Sequence, residues 1–171
     1  MQKDIRIQAI FRRITHPAFL LFAFGALGLI LGTLFAASTD TSLFPLMRQA
    51  VFSPVSIVTS LAAQLLPFLI AAYAVSISRP WLLATVCSYK LFSFAYTGAL
   101  IQIAFGSAGW LVRFLFLFSD IILVPCLCWY CFRRTMGEYD GKKDFGICVG
   151  IAAATALISY LIISPFLAKI L

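Results

Sequence analysis

The segment Tyr89-Lys90-Leu91-Phe92-Ser93-Phe94-Ala95-Tyr96-Thr97-Gly98 places a lysine in the middle of a hydrophobic run that extends over residues 81–105. A charge at membrane depth costs about 2.5–3.5 kcal/mol on insertion scales. A helix that carries Lys90 into a bilayer therefore needs a partner for it, and the position of that partner constrains the rest of the fold.

The amino-acid composition is typical of an integral membrane protein. Hydrophobic residues make up 63% of the 171 positions and charged residues 11%, whereas soluble domains carry about 25% charged residues. The connections between apolar runs are short, so residues 1–171 are predicted to form a single membrane domain. The net charge of +7 comes from basic residues at the flanks of the apolar runs, a membrane-protein distribution that argues against nucleic-acid binding.

Five transmembrane helices account for the apolar runs and predict an all-α polytopic helix bundle in the lipid bilayer. We expect them at residues 17–37, 55–78, 81–105, 110–132 and 145–166. Residues 1–16 combine basic residues with apolar residues at helical spacing, which indicates either a basic amphipathic helix on the membrane surface or a frayed basic tail.

The basic residues also predict an orientation. Two of the 13 Lys and Arg residues, Lys90 and Arg113, fall within the spans. With the N-terminus inside, nine of the others lie in cytoplasmic segments and two in outer segments. The positive-inside rule therefore predicts a cytoplasmic N-terminus and an outer C-terminus.

Asp120 is the predicted partner of Lys90. Each residue lies about ten residues, roughly 15 Å, from the start of its span, and the two spans are consecutive and antiparallel. Because the hydrocarbon core is about 30 Å thick, both charges fall near the midplane. The pair either fixes the register of the two helices or lines a path for a proton or substrate, or meets a partner helix. Arg113 lies about one turn inside the outer face, where its side chain can snorkel to the interface.

Small residues recur on one face of two predicted helices. They are Gly25, Gly28, Gly32 and Ala36 in the first span, and Gly146, Gly150 and Ala154 in the fifth. This spacing lets another helix approach closely. For the first span, packing within the chain and association of two copies into a homo-oligomer both remain open.

The sequence predicts no enzyme, metal or cofactor site. Cys126 and Cys128 lie about 200° apart on a helix, so with Cys131 they cannot converge on one ion. Ser119 beside Asp120 has no base to activate it, and the single histidine, His16, stands at the start of the first span, where an interfacial role is expected.

Four stretches resemble a known family. They are the glycine pattern from Gly25 to Gly32, the helix from Lys90 to Gly98, the turn Phe105-Gly106-Ser107-Ala108-Gly109, and Ser119-Asp120-Ile121-Ile122-Leu123-Val124-Pro125. Together they resemble the stage II sporulation protein M family of small multi-span proteins.

The resemblance implies a non-enzymatic scaffold in a bacterial cell membrane. Members of that family help the mother-cell membrane engulf the forespore by recruiting peptidoglycan hydrolase membrane proteins, so such hydrolases are the expected partners. Lys90 and Gly98 are implied to be helix-packing or partner-contact positions, and Asp120 less directly so. The alternative is a small transporter or permease subunit that uses Lys90 and Asp120 at a midplane site.

Overall fold

The protein is described here by a computed structural model that covers residues 16–52, 56–76, 80–135 and 141–167. Every regular element within these ranges is helical. The α-helices are α1 (Pro17–Ala37), α2 (Phe44–Phe52), α3 (Ile57–Ser76), α4 (Pro80–Phe105), α5 (Gly109–Phe116), α6 (Phe118–Thr135), α7 (Gly141–Ile158) and α8 (Ser164–Leu167). Two 3₁₀ turns (Thr41–Leu43 and Gly106–Ala108) and one π-helical turn (Ser159–Ile163) connect them.

Four segments of the described chain are long and apolar enough to cross a membrane. They are Ala18–Ala37, Ile57–Ala74, Trp81–Phe116 and Gly141–Ile163. The third of these is not one straight rod, because the chain turns at Gly106, whose φ is +58°. After that turn, Gly109 lies directly against the backbone of Gln102 on α4. The described chain is thus all-helical and contains four apolar segments that are candidates for membrane spans.

The predicted fourth span, 110–132, is divided into α5 and α6. Helix α5 ends at Phe116, and the ψ of 10° at the next residue, Leu117, leaves the helical range. Helix α6 is less apolar than the four candidates because it carries Asp120, Arg133 and Arg134. Hydropathy alone therefore identifies four segments, and α6 enters the bundle through the contacts described below.

Contacts between the long helices define their directions. Gly28 lies against Ser88 and Gly32 against Phe92, so α1 and α4 run parallel. Helices α6 and α7 run antiparallel, since Ser119 contacts Ser159 near one end of the pair. At the other end Arg133 contacts Asp144.

The chain doubles back between α4 and α6. Gly109 lies beside Gln102 and Arg113 beside Gly98. Nearer the start of α4, Lys90 contacts Asp120 of α6. As the residue number rises through α5 and α6, the number of the contacted residue on α4 falls, so α5 and α6 run antiparallel to α4.

The main hydrophobic core lies at the end of the bundle where α6 ends and α7 begins. Tyr130 is fully buried there and its ring meets Phe68 of α3 edge-on, with centroids 6.4 Å apart. Ala71, Cys131 and Cys148 are also fully buried in this cluster. Five helices contribute buried residues to it, namely α1, α3, α4, α6 and α7. Packing in this core therefore joins the five long helices at the end of the bundle where α6 ends and α7 begins.

The outer faces of the helices are apolar. Phe22 of α1 is 74% exposed, and Val58, Tyr73 and Leu161 on other helices are also mostly exposed. Exposed apolar side chains on so many helices are uncommon on monomeric soluble proteins and suit contact with lipid.

At the opposite end of the bundle, where α1 and α4 end, polar side chains form hydrogen bonds with backbone groups. The carboxylate of Asp40 accepts a hydrogen bond from the backbone N–H of Ser42 at 3.0 Å, which lowers the pKa of that carboxyl below its usual range. Arg48 of α2 donates from Nε to the carbonyl oxygen of Ala104 at 2.9 Å, and a second nitrogen of the guanidinium donates to the same oxygen. This carbonyl belongs to the last turn of α4, where helix geometry leaves carbonyl groups without a partner.

Candidate functional site

The two charges that the sequence analysis paired, Lys90 and Asp120, form an ion pair in the structure. Lys90 Nζ of α4 lies 2.6 Å from Asp120 Oδ1 of α6, and the side chains are only 15% and 20% exposed. Lys90 lies ten residues after the first residue of α4, about 15 Å along the helix axis. Each charge therefore neutralises the other inside the bundle.

The division of the fourth span gives Asp120 a second source of stabilisation. Because α6 begins at Phe118, Asp120 stands in its first turn. A helix N-terminus carries a partial positive charge, and a carboxylate there is stabilised by about 0.3–1 kcal/mol at exposed sites. The carboxylate of Asp120 therefore lies beside both the Lys90 ammonium group and the N-terminus of the helix that carries it.

A second group of polar side chains, which we call the polar cluster, comprises Gln64, Ser119, Thr155 and Ser159. Ser119 Oγ lies 2.5 Å from Ser159 Oγ and donates to the Thr155 carbonyl oxygen at 3.3 Å. Thr155 Oγ1 in turn lies 3.5 Å from Gln64 Oε1 of α3. The cluster joins α3, α6 and α7, and Ser119 precedes Asp120 in the chain.

Sequence reasoning did not identify Gln64, Thr155 or Ser159 as site residues. Each is a single polar residue in an apolar run, and nothing in the local sequence indicates which helix it faces. One signal was present, since a polar side chain in lipid is costly unless it finds a partner. The π-helical turn that begins at Ser159 is also a feature found frequently at functional sites.

The first predicted glycine face packs α1 against α4. A Cβ at Gly28 would overlap the backbone carbonyl of Ser88, and a Cβ at Gly32 would lie 2.5 Å from the Phe92 carbonyl oxygen. At Gly25 the nearest atom would be the flexible end of Leu91, 3.0 Å away. This face is consequently used within the chain.

The second predicted glycine face has no such neighbour. Gly146 and Gly150 are exposed, and a Cβ at either would meet no heavy atom of the described residues within 4 Å. Ala154 is exposed on the same helix. Among the described residues, these glycines therefore do not mediate helix packing.

Arg113 lies against α4. A Cβ at Gly98 would stand 2.7 Å from Arg113 Nε, and Arg113 is partly buried. The absent side chain at Gly98 provides the space for this guanidinium. Gly98 and Arg113 thus form one contact of the α4–α5 hairpin, where the sequence predicted a packing glycine and a separate interfacial charge.

The end of the bundle opposite to Arg48 holds a further ion pair. Asp144 lies in the first turn of α7 with a side chain only 3% exposed, and its Oδ2 is 3.6 Å from Arg133 Nε. The Arg133 guanidinium also lies 5.4 Å from the centre of the Trp129 ring. Asp144 falls just before the predicted fifth span, 145–166, so its burial was not predicted.

The cysteines are free thiols within the helices. Cys126 Sγ of α6 lies 3.5 Å from Cys148 Sγ of α7. The described part of the chain contains no group of three His, Cys, Asp or Glu side chains that could hold a metal ion.

His16, the one described residue of the predicted basic segment, caps α1 by accepting a hydrogen bond from the Ala18 N–H at 3.4 Å. The rest of that segment, residues 1–15, lies outside the described ranges.

Comparisons with known proteins give no relatives for this arrangement: no family model matches the sequence, no curated protein matches it, and no solved structure matches the fold.

Proposed function

We propose that the chain crosses a bacterial cell membrane five times, with its N-terminus in the cytoplasm and its C-terminus outside. Two helix directions support this topology: α1 and α4 run parallel, as first and third crossings must, and α6 runs antiparallel to both its neighbours α4 and α7. In this topology α5 and α6 together form the fourth crossing. Nine basic residues lie in the proposed cytoplasmic segments and two in the outer segments, which supports the proposed orientation by the positive-inside rule.

Reporter fusions test this topology. A periplasmic reporter enzyme should be active after Gly106 and after the C-terminal residue, and a cytoplasmic fluorescent reporter should be active at the connection between α6 and α7. A four-span chain, in which α6 stays on one side of the membrane, would reverse the C-terminal result.

We further propose that the protein is a non-enzymatic membrane scaffold of a peptidoglycan-remodelling complex, of the type used in sporulation and engulfment. The observation that carries this proposal is the closed Lys90–Asp120 pair. The two charged groups contact each other across α4 and α6 at 2.6 Å. In this proposal the pair fixes the position of α4 relative to α6 within the bundle. The nature of the partners, membrane-bound peptidoglycan hydrolases, comes from the resemblance to the stage II sporulation protein M family.

A transporter or permease subunit is the second candidate, and the polar cluster favours it. Ser119 connects the cluster to Asp120 along the chain, and Ser159 opens a π-helical turn at the same place. Polar and ionisable residues within membrane helices often mark substrate and ion pathways.

Exchanging the two charges distinguishes these candidates. The single variants Lys90→Asp and Asp120→Lys should both lose function, measured as engulfment in cells that lack the chromosomal gene. A scaffold recovers function in the double variant, because the pair is restored with its direction reversed. A transporter stays inactive in the double variant even though the protein is folded and inserted.

Capture of partners tests the scaffold itself. Cross-linking in sporulating cells, followed by purification of the tagged chain, should recover peptidoglycan hydrolases, and recovery should fall in the single-charge variants. Recovery of a transport ATPase in place of cell-wall hydrolases would contradict the scaffold proposal.

A further inference from the structure

An apolar groove lies on the outside of the bundle between α1, α4 and α6. Its volume is about 450 Å³, within the range of small-molecule sites. The side chains that define it include Leu21, Ala26 and Leu29 of α1, Leu91 of α4, and Trp129 and Phe132 of α6. Among the described residues, no charged or hydroxyl side chain lines it, so its walls suit a hydrocarbon chain.

The shape of the groove suits an extended chain. Its α1 wall runs from Leu21 to Leu29, eight residues or about 12 Å along the helix axis. Gly25 of α1 and Leu91 of α4, which lie next to each other, both line the groove. The groove therefore follows the helix axis, the direction in which a lipid acyl chain lies in a bilayer.

One end of the groove lies beside positive charge. Because α1 runs antiparallel to α6, the start of α1 is level with the end of α6. There Arg133 lies over the Trp129 ring at 5.4 Å with its side chain 35% exposed, and Arg134 follows it. Lys142 and Lys143 at the start of α7 are exposed, whereas Asp144 beside them is buried.

We propose that this groove binds one acyl chain of an anionic phospholipid, with the lipid phosphate held at the basic end formed by Arg133, Arg134, Lys142 and Lys143. An apolar slot that ends in cations matches an amphiphile with a hydrocarbon chain and a negative headgroup. A zwitterionic lipid would fill the slot equally well and gain less from the cations. This proposal does not depend on the proposed scaffold function.

Fluorescence quenching by brominated lipids tests the proposal, because Trp129 lines the groove. Trp81 and Trp110 are exposed and lie outside it. The double substitution Trp81→Phe and Trp110→Phe leaves Trp129 as the only tryptophan of residues 1–171. The protein is placed in vesicles of phosphatidylcholine that contain increasing fractions of dibromo-phosphatidylglycerol or of dibromo-phosphatidylcholine.

We expect the anionic lipid to quench Trp129 at a three- to tenfold lower mole fraction than the zwitterionic lipid. The range is modest because Glu138 and Asp140 also lie between α6 and α7 in the sequence, and each basic residue near the surface contributes a limited attraction. A matched protein that retains only Trp110, at the other end of the bundle, should show less than a twofold difference between the lipids.

Two variants locate the effect. Replacing Arg134, Lys142 and Lys143 by Gln removes charge without touching the Arg133–Asp144 pair, and should abolish the preference for the anionic lipid. Ala26→Phe fills the groove and should reduce the quenching by both lipids at least twofold. Helical circular dichroism and a single size-exclusion peak establish that each variant is folded.

Three results would overturn the proposal. Equal quenching by the two lipids would show ordinary lipid contact without headgroup selection. A preference that survives the triple Gln substitution would place the headgroup elsewhere. Failure of both lipids to quench Trp129, together with a dimer on size exclusion, would show that a second copy of the chain fills the groove.

Discussion

At the scale of single residues, the protein solves the problem of Lys90 by pairing it within the bundle. The ammonium group contacts Asp120 at 2.6 Å, and each side chain is more than three-quarters buried. Desolvation of two charges is costly, and the pair offsets this cost only while both partners are present. Removing one partner should therefore destabilise the folded protein more than removing both.

Lys90→Met should destabilise the protein by about 3–5 kcal/mol, because Asp120 would remain as an uncompensated buried charge. The double variant Lys90→Met with Asp120→Leu should recover most of the loss. The measurement is thermal unfolding in detergent, followed by fluorescence-detected size exclusion. A double variant no more stable than the single one would show that the two residues are not energetically coupled.

At the scale of helices, small residues act only where a second helix is close. Gly28 and Gly32 face backbone carbonyl groups of α4, which cannot move aside as a flexible side chain can. Gly146 and Gly150 have the same spacing and face open space among the described residues. The same sequence pattern therefore has two different structural outcomes.

Gly28→Ala and Gly32→Ala should each destabilise the protein by about 1–3 kcal/mol, since the added methyl group forces α1 away from α4. Gly146→Ala is the matched control, because its added methyl group meets no described neighbour and alanine is the better helix former, so no loss of stability is expected. Guanidinium unfolding in detergent micelles gives the comparison. Equal losses at Gly28 and Gly146 would contradict the close approach of α1 to α4.

The end of α4 depends on a residue far away in the sequence. Arg48 donates two hydrogen bonds to the Ala104 carbonyl oxygen, and its guanidinium lies 5.5 Å from the centre of the Phe105 ring. Both contacts hold α2 across the last turn of α4.

Arg48→Ala should cost about 1 kcal/mol, because the Ala104 carbonyl loses its partner. Amide hydrogen exchange should also quicken in the last turn of α4 and in α2, with little change in α7. Arg48→Lys keeps the charge with fewer donors and should give an intermediate effect. Unchanged exchange in both helices after Arg48→Ala would show that this cap does not stabilise the end of α4.

At the scale of the whole molecule, contacts between distant segments determine the course of the chain. The α6–α7 pair illustrates this with three contacts spread along its length. As the residue number rises along α6, the number of the contacted residue falls, so the two segments are antiparallel. The contacts are Ser119 with Ser159, Cys126 with Cys148, and Arg133 with Asp144.

Cys126 and Cys148 provide a direct test of that packing, since their sulfur atoms are 3.5 Å apart. In a chain with the other three cysteines replaced by Ala and a protease site inserted between α6 and α7, copper-catalysed oxidation should cross-link the two halves. After cleavage the halves should migrate together without reductant and separately with it. A chain with Cys148→Ala is the control, and cleaved halves that separate without reductant would refute the antiparallel α6–α7 pairing.

The sequence by itself determined the class of protein and the positions of the long apolar helices. Helices occur where 17–37, 81–105 and most of the other predicted spans were placed, because hydropathy and helical periodicity are local properties of the chain. Lys90 could likewise be assigned a charged partner, since the cost of an unpaired charge in hydrocarbon is known in advance, and Asp120 was the acidic residue at matching depth.

Only the tertiary structure decided the other features. The break at Leu117, the contact of Arg113 with Gly98 and the burial of Asp144 each depend on which helix lies alongside, and no local pattern encodes that. The two glycine faces make the same point, because their spacing is alike and only the neighbouring helix separates a packing surface from an exposed one. The polar cluster and the apolar groove are likewise assembled from three helices each. Their residues become neighbours through long-range packing, which a single segment of sequence does not specify.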